Sequence, residues 1–186
     1  MLQDDRALPV DHEALGHPRR AKLQLDPRID VAADSFEGIA VGGDKLYLAN
    51  ERSLGRIIVV DLARLKVIDD FVAYPRGVDG WDVHYSDLCF FEGSLYALLR
   101  ESRLVLQIDP ATHRVLAEFN YRELENDKEV AYRTRYPLVG VMEGLAVDRE
   151  FIWLATDNNG LSRIRYPGDI RPTLFKCRRT DQPARN

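Results

Sequence analysis

Three segments of the chain, FEGIAVGGDKLYLANER, SDLCFFEGSLYALLRES and MEGLAVDREFIWLATDN, each set a carboxylate at the head of an apolar run and a second one beyond the next run. The separation is constant: Glu37 to Glu51, Asp87 to Glu101 and Glu143 to Asp157 are each 14 residues apart. Such a span holds about five residues down, roughly three or four in a turn and about five back, an antiparallel hairpin that returns both acids to one rim. Recurrence after 50 residues (37 to 87) and then 56 (87 to 143) fits stacked repeats such as propeller blades rather than a domain with one core.

Each repeat reads as four strands bounded by turn residues. The first is FEGIAV, KLYLAN, RIIVVDL and KVIDDFV; the second is SDLCFF, SLYALLR, LVLQIDP and RVLAEFN, with Glu92-Gly93 as a tight turn; the third is EGLAV, FIWLAT, LSRIRY and TLFKC. The first two strands of a repeat are nearly unbroken in apolar residues and the later ones alternate with charge. Inner strands sandwiched between blades and outer strands that meet water give that gradient. Residues 1–20 read as a polar tail or crossing loop, and an orphan strand at 21–25 has no hairpin before it. The insertion 120–137 reads as a solvated connector with a turn or two of exposed helix, or as a lid offering Tyr132, Arg133, Arg135 and Tyr136 to an anion.

The expected fold is therefore all-β: a partial β-propeller of four-stranded antiparallel blades, three complete ones at about 35–73, 85–120 and 141–178, plus the orphan strand. Propellers close with roughly four to eight blades, so three leave both terminal blades with an open apolar face. The neighbours that cover those faces are either further blades of a longer chain or a homodimer partner. Alone, the chain is expected to self-associate.

A net charge of −4, from 26 basic and 30 acidic residues, argues against a surface built for nucleic acid or an anionic membrane. No apolar run reaches the roughly 18 residues of a membrane span, and the first residues lack the apolar core of a signal peptide. As written, the chain is expected to stay where it is made, and no compartment is assigned. Cys89 and Cys177 stand in apolar contexts, outside any CxxC or Cys/His cluster, and read as buried thiols.

Six carboxylates at one rim, Glu37, Asp87, Glu143, Glu51, Glu101 and Asp157, repel one another and raise each other's pKa unless something compensates. A divalent cation is the simplest compensation. Calcium, which takes about six to eight oxygen ligands at roughly 2.3–2.6 Å, suits the set better than zinc, which would want His or Cys. Asn50, Ser86 and Asn158 would add neutral oxygens. In the other reading the acids cap strand ends, pair with Arg52, Arg100 or Arg103, and face solvent. Those arginines are also the candidates to hold an anionic substrate or small-molecule ligand beside a metal. No GxSxG elbow or Ser/His/Asp order supports a serine esterase. His84, three residues before Asp87, reads as a packed or surface residue, and His12, His17 and His113 receive no role.

The repeated Glu37-Gly38-Ile39-Ala40 and Glu143-Gly144-Leu145-Ala146, with Ser86-Asp87-Leu88 and the hairpin partners Glu51-Arg52, Glu101-Ser102 and Asp157-Asn158, carry a family resemblance. Over about 31–177 the chain resembles the six-bladed propellers grouped as SdiA-regulated proteins and as esterase-like or phytase-like domain proteins. The resemblance implies calcium held by channel-facing carboxylates and hydrolysis of phosphate or carboxylic esters. The chain departs from that family in length, with about half the blades, which would leave a shared site incomplete. Two functions follow as expectations: a non-catalytic, calcium-binding propeller domain, or a metal-dependent hydrolase.

Overall fold

A computed structural model describes residues 36–50, 55–77, 83–134 and 140–179. The tail, the orphan strand, Glu51, Arg52, Arg135 and Tyr136 lie outside the described residues.

Each repeat folds as a meander of neighbouring antiparallel strands. The first blade runs β1 (Phe36–Gly42), β2 (Lys45–Asn50), β3 (Ile57–Asp61) and β4 (Lys66–Phe71), hydrogen-bonded in that order. The second runs β5 (Tyr85–Phe91), β6 (Ser94–Leu99), β7 (Leu104–Ile108) and β8 (Val115–Asn120) in the same order. Its first hairpin turns on Glu92 and Gly93, at φ of 45° and 80°. A two-residue turn with both φ positive matches the twist of the flanking strands, and glycine adopts it without steric cost.

The third blade differs from its expected form. After α1, one turn over Arg122–Glu125, come β9 (Met142–Val147), β10 (Phe151–Thr156) and β11 (Leu174–Arg178), in the order β11-β10-β9. Leu174–Arg178 thus takes the third place, which the sequence gives to LSRIRY, and among the described residues this blade has three strands. Arg163, inside LSRIRY, bridges Tyr132 of the insertion instead. Its side chain donates to the Glu129 carbonyl (3.2 Å) and Thr173 Oγ1 (3.0 Å), so the segment is bound to the insertion rather than to β10. The lid reading fails at Tyr132. That residue is buried, and its hydroxyl donates to the Arg171 carbonyl at 2.6 Å.

Alternation gives every sheet two faces. In β1, Gly38, Ala40 and Gly42 are buried while Glu37, Ile39 and Val41 are exposed. One core cluster joins the first and second blades through Tyr47, Ile57, Val59 and Phe71 against Leu88, Leu95, Ala97 and Leu106. A second joins Tyr96, Leu98 and Val105 to Leu145, Val147, Ile152 and Leu154 of the third. The first strands β1, β5 and β9 lie side by side, which makes them the innermost strands of a curved stack. Gly38 fits that crowding: a Cβ there would stand 2.7 Å from the Cα of Asp87. No helix among the described residues is long and apolar enough to cross a membrane.

Candidate functional site

The acids are placed by three β-bulges at the heads of the innermost strands, since a bulge inserts one residue opposite an unbroken partner strand. β1 pairs Phe36 with Asn50 and then Gly38 with Ala49. β5 pairs Tyr85 with Leu99 and then Asp87 with Leu98; β9 pairs Met142 with Thr156 and then Gly144 with Ala155. The bulged residues are therefore Glu37, Ser86 and Glu143. Asp87 stands one place further along, in the position of Gly38 and Gly144, and Arg100 rather than Glu101 occupies the position of Asp157. The middle repeat keeps the 14-residue spacing of its acids but is one residue out of register with the other two.

That slip changes the chemistry. Asp87 points across to the third blade, where its Oδ2 accepts the Leu145 N–H at 2.7 Å, while Oδ1 accepts its neighbour Leu88's N–H at 2.8 Å. Arg100 supplies a cation where the repeat suggests an acid: it pairs with Glu143 of the third blade and with Glu101 Oε1 at 3.1 Å. Arg103, buried, donates through Nε to Glu125 Oε2 at 2.6 Å and through Nη1 to the Glu101 carbonyl at 3.0 Å. Glu125, also buried, accepts the Val141 N–H at 2.7 Å. Asp87, and Arg100 with Glu143, and Arg103 through Glu125, thus fasten the second blade to the third. Arg100 and Arg103, the candidates for an anionic substrate, face carboxylates of this chain.

The remaining candidates are peripheral to that network. Glu37 is exposed, and Asp157, exposed as well, accepts the Asn159 N–H at 2.9 Å. His84 Nδ1 lies 3.8 Å from Glu101 Oε1. Ser86 is buried, its Oγ 3.4 Å from the Leu98 carbonyl. Asn158 is buried and donates to the Ile170 carbonyl at 3.0 Å. Two buried acceptor atoms, Glu101 Oε2 and Asn50 Oδ1, have no hydrogen-bond donor among the described residues. Among the described residues no three His, Cys, Asp or Glu side chains gather as a cation site.

Two fastenings have no counterpart in the sequence reading. Glu125 sits in an insertion whose composition is that of a solvated loop. Arg179, buried just past β11, donates to Tyr96 Oη at 2.8 Å and to the Asp148 carbonyl at 3.0 Å, with its guanidinium over Phe91 and Tyr96. Nothing local marks either residue, because each is defined by a partner far along the chain.

Burial pushes the Asp87 carboxyl above its ordinary value of 3.8, against the opposing pull of the Leu145 and Leu88 N–H groups. An acid whose pKa is raised on folding binds its proton more tightly in the folded state. Its contribution to stability is complete below pH 3.8 and is lost as pH rises through the raised folded value. Asp87→Asn removes that titration. Denaturation midpoints across the acid range should therefore show the native chain losing stability relative to the variant inside this window, with a constant difference above it; parallel curves throughout would show that Asp87 is not desolvated.

No family model matches the chain, and no curated protein matches it. Among solved structures it is similar to the glutaminyl cyclase of Myxococcus xanthus, with a TM-score of 0.53 and 20% identity over 76% of this chain and 53% of the cyclase. It also matches the Pan2 WD40 domain of Neurospora crassa (TM-score 0.45, 12% identity, 76% and 36% of the two chains) and the RRP9 WD40 repeats (TM-score 0.46, 16% identity, 75% and 36%). The likeness to the cyclase, at that identity, concerns the fold. The chain is a partial β-propeller that spans about half of that structure.

Proposed function

We propose that this chain is a non-catalytic propeller domain of the SdiA-regulated, phytase-like type, whose rim of acids and arginines serves to fasten blades. The observation that carries this reading is Arg100 between Glu101 and Glu143, at a position where the repeat suggests a third acid. A guanidinium there supplies the compensation that crowded carboxylates otherwise seek from an ion, and it ties two blades with charge-assisted bonds. The hydrolase alternative needs a free cation for the substrate and a metal to activate water. Arg103 is committed to a buried pair, and Arg100 faces two acids.

Calcium is the second reading, favoured by one observation: the buried Glu101 Oε2 and Asn50 Oδ1 have no donor among the described residues, and such oxygens suit a hard cation. Two oxygens are fewer than the roughly six to eight that calcium takes, so the described residues alone do not complete a coordination sphere.

Chelator-stripped protein separates the readings by calorimetric titration with calcium, melting with and without the ion, and assay against nitrophenyl phosphate and nitrophenyl acetate. The expected result is no turnover and the same melting temperature in either condition. A melting temperature that climbs with calcium would replace the fastening with an ion, and calcium-dependent turnover would establish the hydrolase.

A further inference from the structure

We infer that the chain's own segment 21–35 docks on the outward face of the first blade and buries the centre of that face. The starting point is a pair of side chains that their own sheet cannot cover.

Ladder register sorts the first blade into rows. Tyr47 and Val59 belong to the face that packs on the second blade. On the opposite face stand Val41, Leu46, Val60 and Val67 in one row, with Ile39, Leu48 and Ile58 in the next. Ile58 and Val60 are both 0% exposed. They form a cluster of their own, and the side chains packed against it, Phe36, Leu46, Leu48 and Val67, all belong to the same blade. Side chains stand roughly perpendicular to a sheet, so neighbours on flanking strands shield a residue's sides and leave its end open. Complete burial takes a second layer above the sheet. Nearer the axis that layer stops, since Ile39 is 62% exposed and Val41 58%. The open apolar face expected of this blade is reduced to a strip along β1.

Connectivity selects the cover. Among the described residues, none outside the first blade joins the cluster. Residues 51–54 link β2 to β3 at the rim, whereas Val60 lies toward the other end of β3, opposite Leu46 and Val67. Residues 78–82 lead to Val83, which packs in the cluster shared by the first and second blades. Residues 135–139 lead to Gly140, where an added Cβ would stand 2.6 Å from the Arg100 carbonyl oxygen of the second blade. Residues 180–186 follow Arg179, which donates to Tyr96 of the second blade. There remain the 35 residues before Phe36, and they enter β1 through a member of the cluster itself. Of these, 21–35 are nearest along the chain and reach the face at the smallest loop-closure cost. They also carry two pairs of aliphatic residues, Leu23 with Leu25 and Ile29 with Val31.

The test uses the full chain. A short amine-to-amine cross-linker is applied, the species of single mass is isolated, and its linked peptides are identified by mass spectrometry. The lysines are Lys22, Lys45, Lys66, Lys128 and Lys176. Lys45 and Lys66 open β2 and β4 of the first blade. Lys22 is expected to be joined to Lys45 or Lys66. Lys22 joined only to Lys128 or Lys176, or to no lysine, overturns the docking. In urea, Leu25→Asp and Ile29→Asp should each lower the denaturation midpoint, while Leu15→Asp should leave it at the native value. Native midpoints for the first two would also overturn the docking, and a lowered midpoint in Leu15→Asp would overturn its assignment to 21–35. Should a variant fail to fold, the cross-link on the native chain still decides.

Discussion

Arg103→Met should lower stability by about 3–5 kcal/mol, the cost of removing one partner from a buried ion pair. The side chains of Arg103 and Glu125 are 9% and 7% exposed, and the bond between them is 2.6 Å. Take away the guanidinium and the carboxylate stays where the Val141 N–H holds it, charged and cut off from water. Most of the cost arises there, and not in the lost attraction itself. The double variant Arg103→Met, Glu125→Gln should recover a large share, because a neutral amide oxygen still accepts from Val141 and leaves no charge to bury. Urea denaturation of the two variants checks this. A single-variant loss under about 1 kcal/mol would put the pair among solvent-screened surface bridges.

That pair also marks the boundary of what the chain discloses as sequence. Strand content and repeat length are legible because each depends on neighbours close along the chain: a 14-residue hairpin with acids at its ends encodes its own return, and Glu92-Gly93 its own turn. Fastenings between blades depend on partners more distant in sequence. Arg103 to Glu125 spans 22 residues, Asp87 to Leu145 58, and Arg179 to Tyr96 83.

The register of the middle repeat is hidden for a different reason. Counting carboxylates aligns Asp87 with Glu37 and Glu143, but the bulge selects backbone position, and Ser86 fills it as well as glutamate does. One residue of slip moves a side chain to the other face of the sheet. Asp87 accordingly binds the neighbouring blade, and Arg100 appears at the rim. LSRIRY has the alternation of a strand too, but Arg163 and its partners in the insertion hold it elsewhere.

Gly38→Ala should destabilise the chain by about 1–3 kcal/mol or somewhat more, through overpacking against atoms that do not yield. The added methyl would meet the Cα of Asp87 at 2.7 Å and the backbone nitrogen of Leu88 at 2.8 Å, so the first blade could keep its place only by moving away from the second. Gly144 holds the same ladder position in the third blade, yet the nearest atom to an added Cβ there is the Ala155 Cβ, at 3.1 Å, with the Ala155 backbone no closer than 3.9 Å. The same substitution should therefore cost Gly144→Ala much less. Gly38→Ala is read as a lowered denaturation midpoint and Gly144→Ala as a near-native one. Equal midpoints for the two variants would deny the close approach of the first two blades.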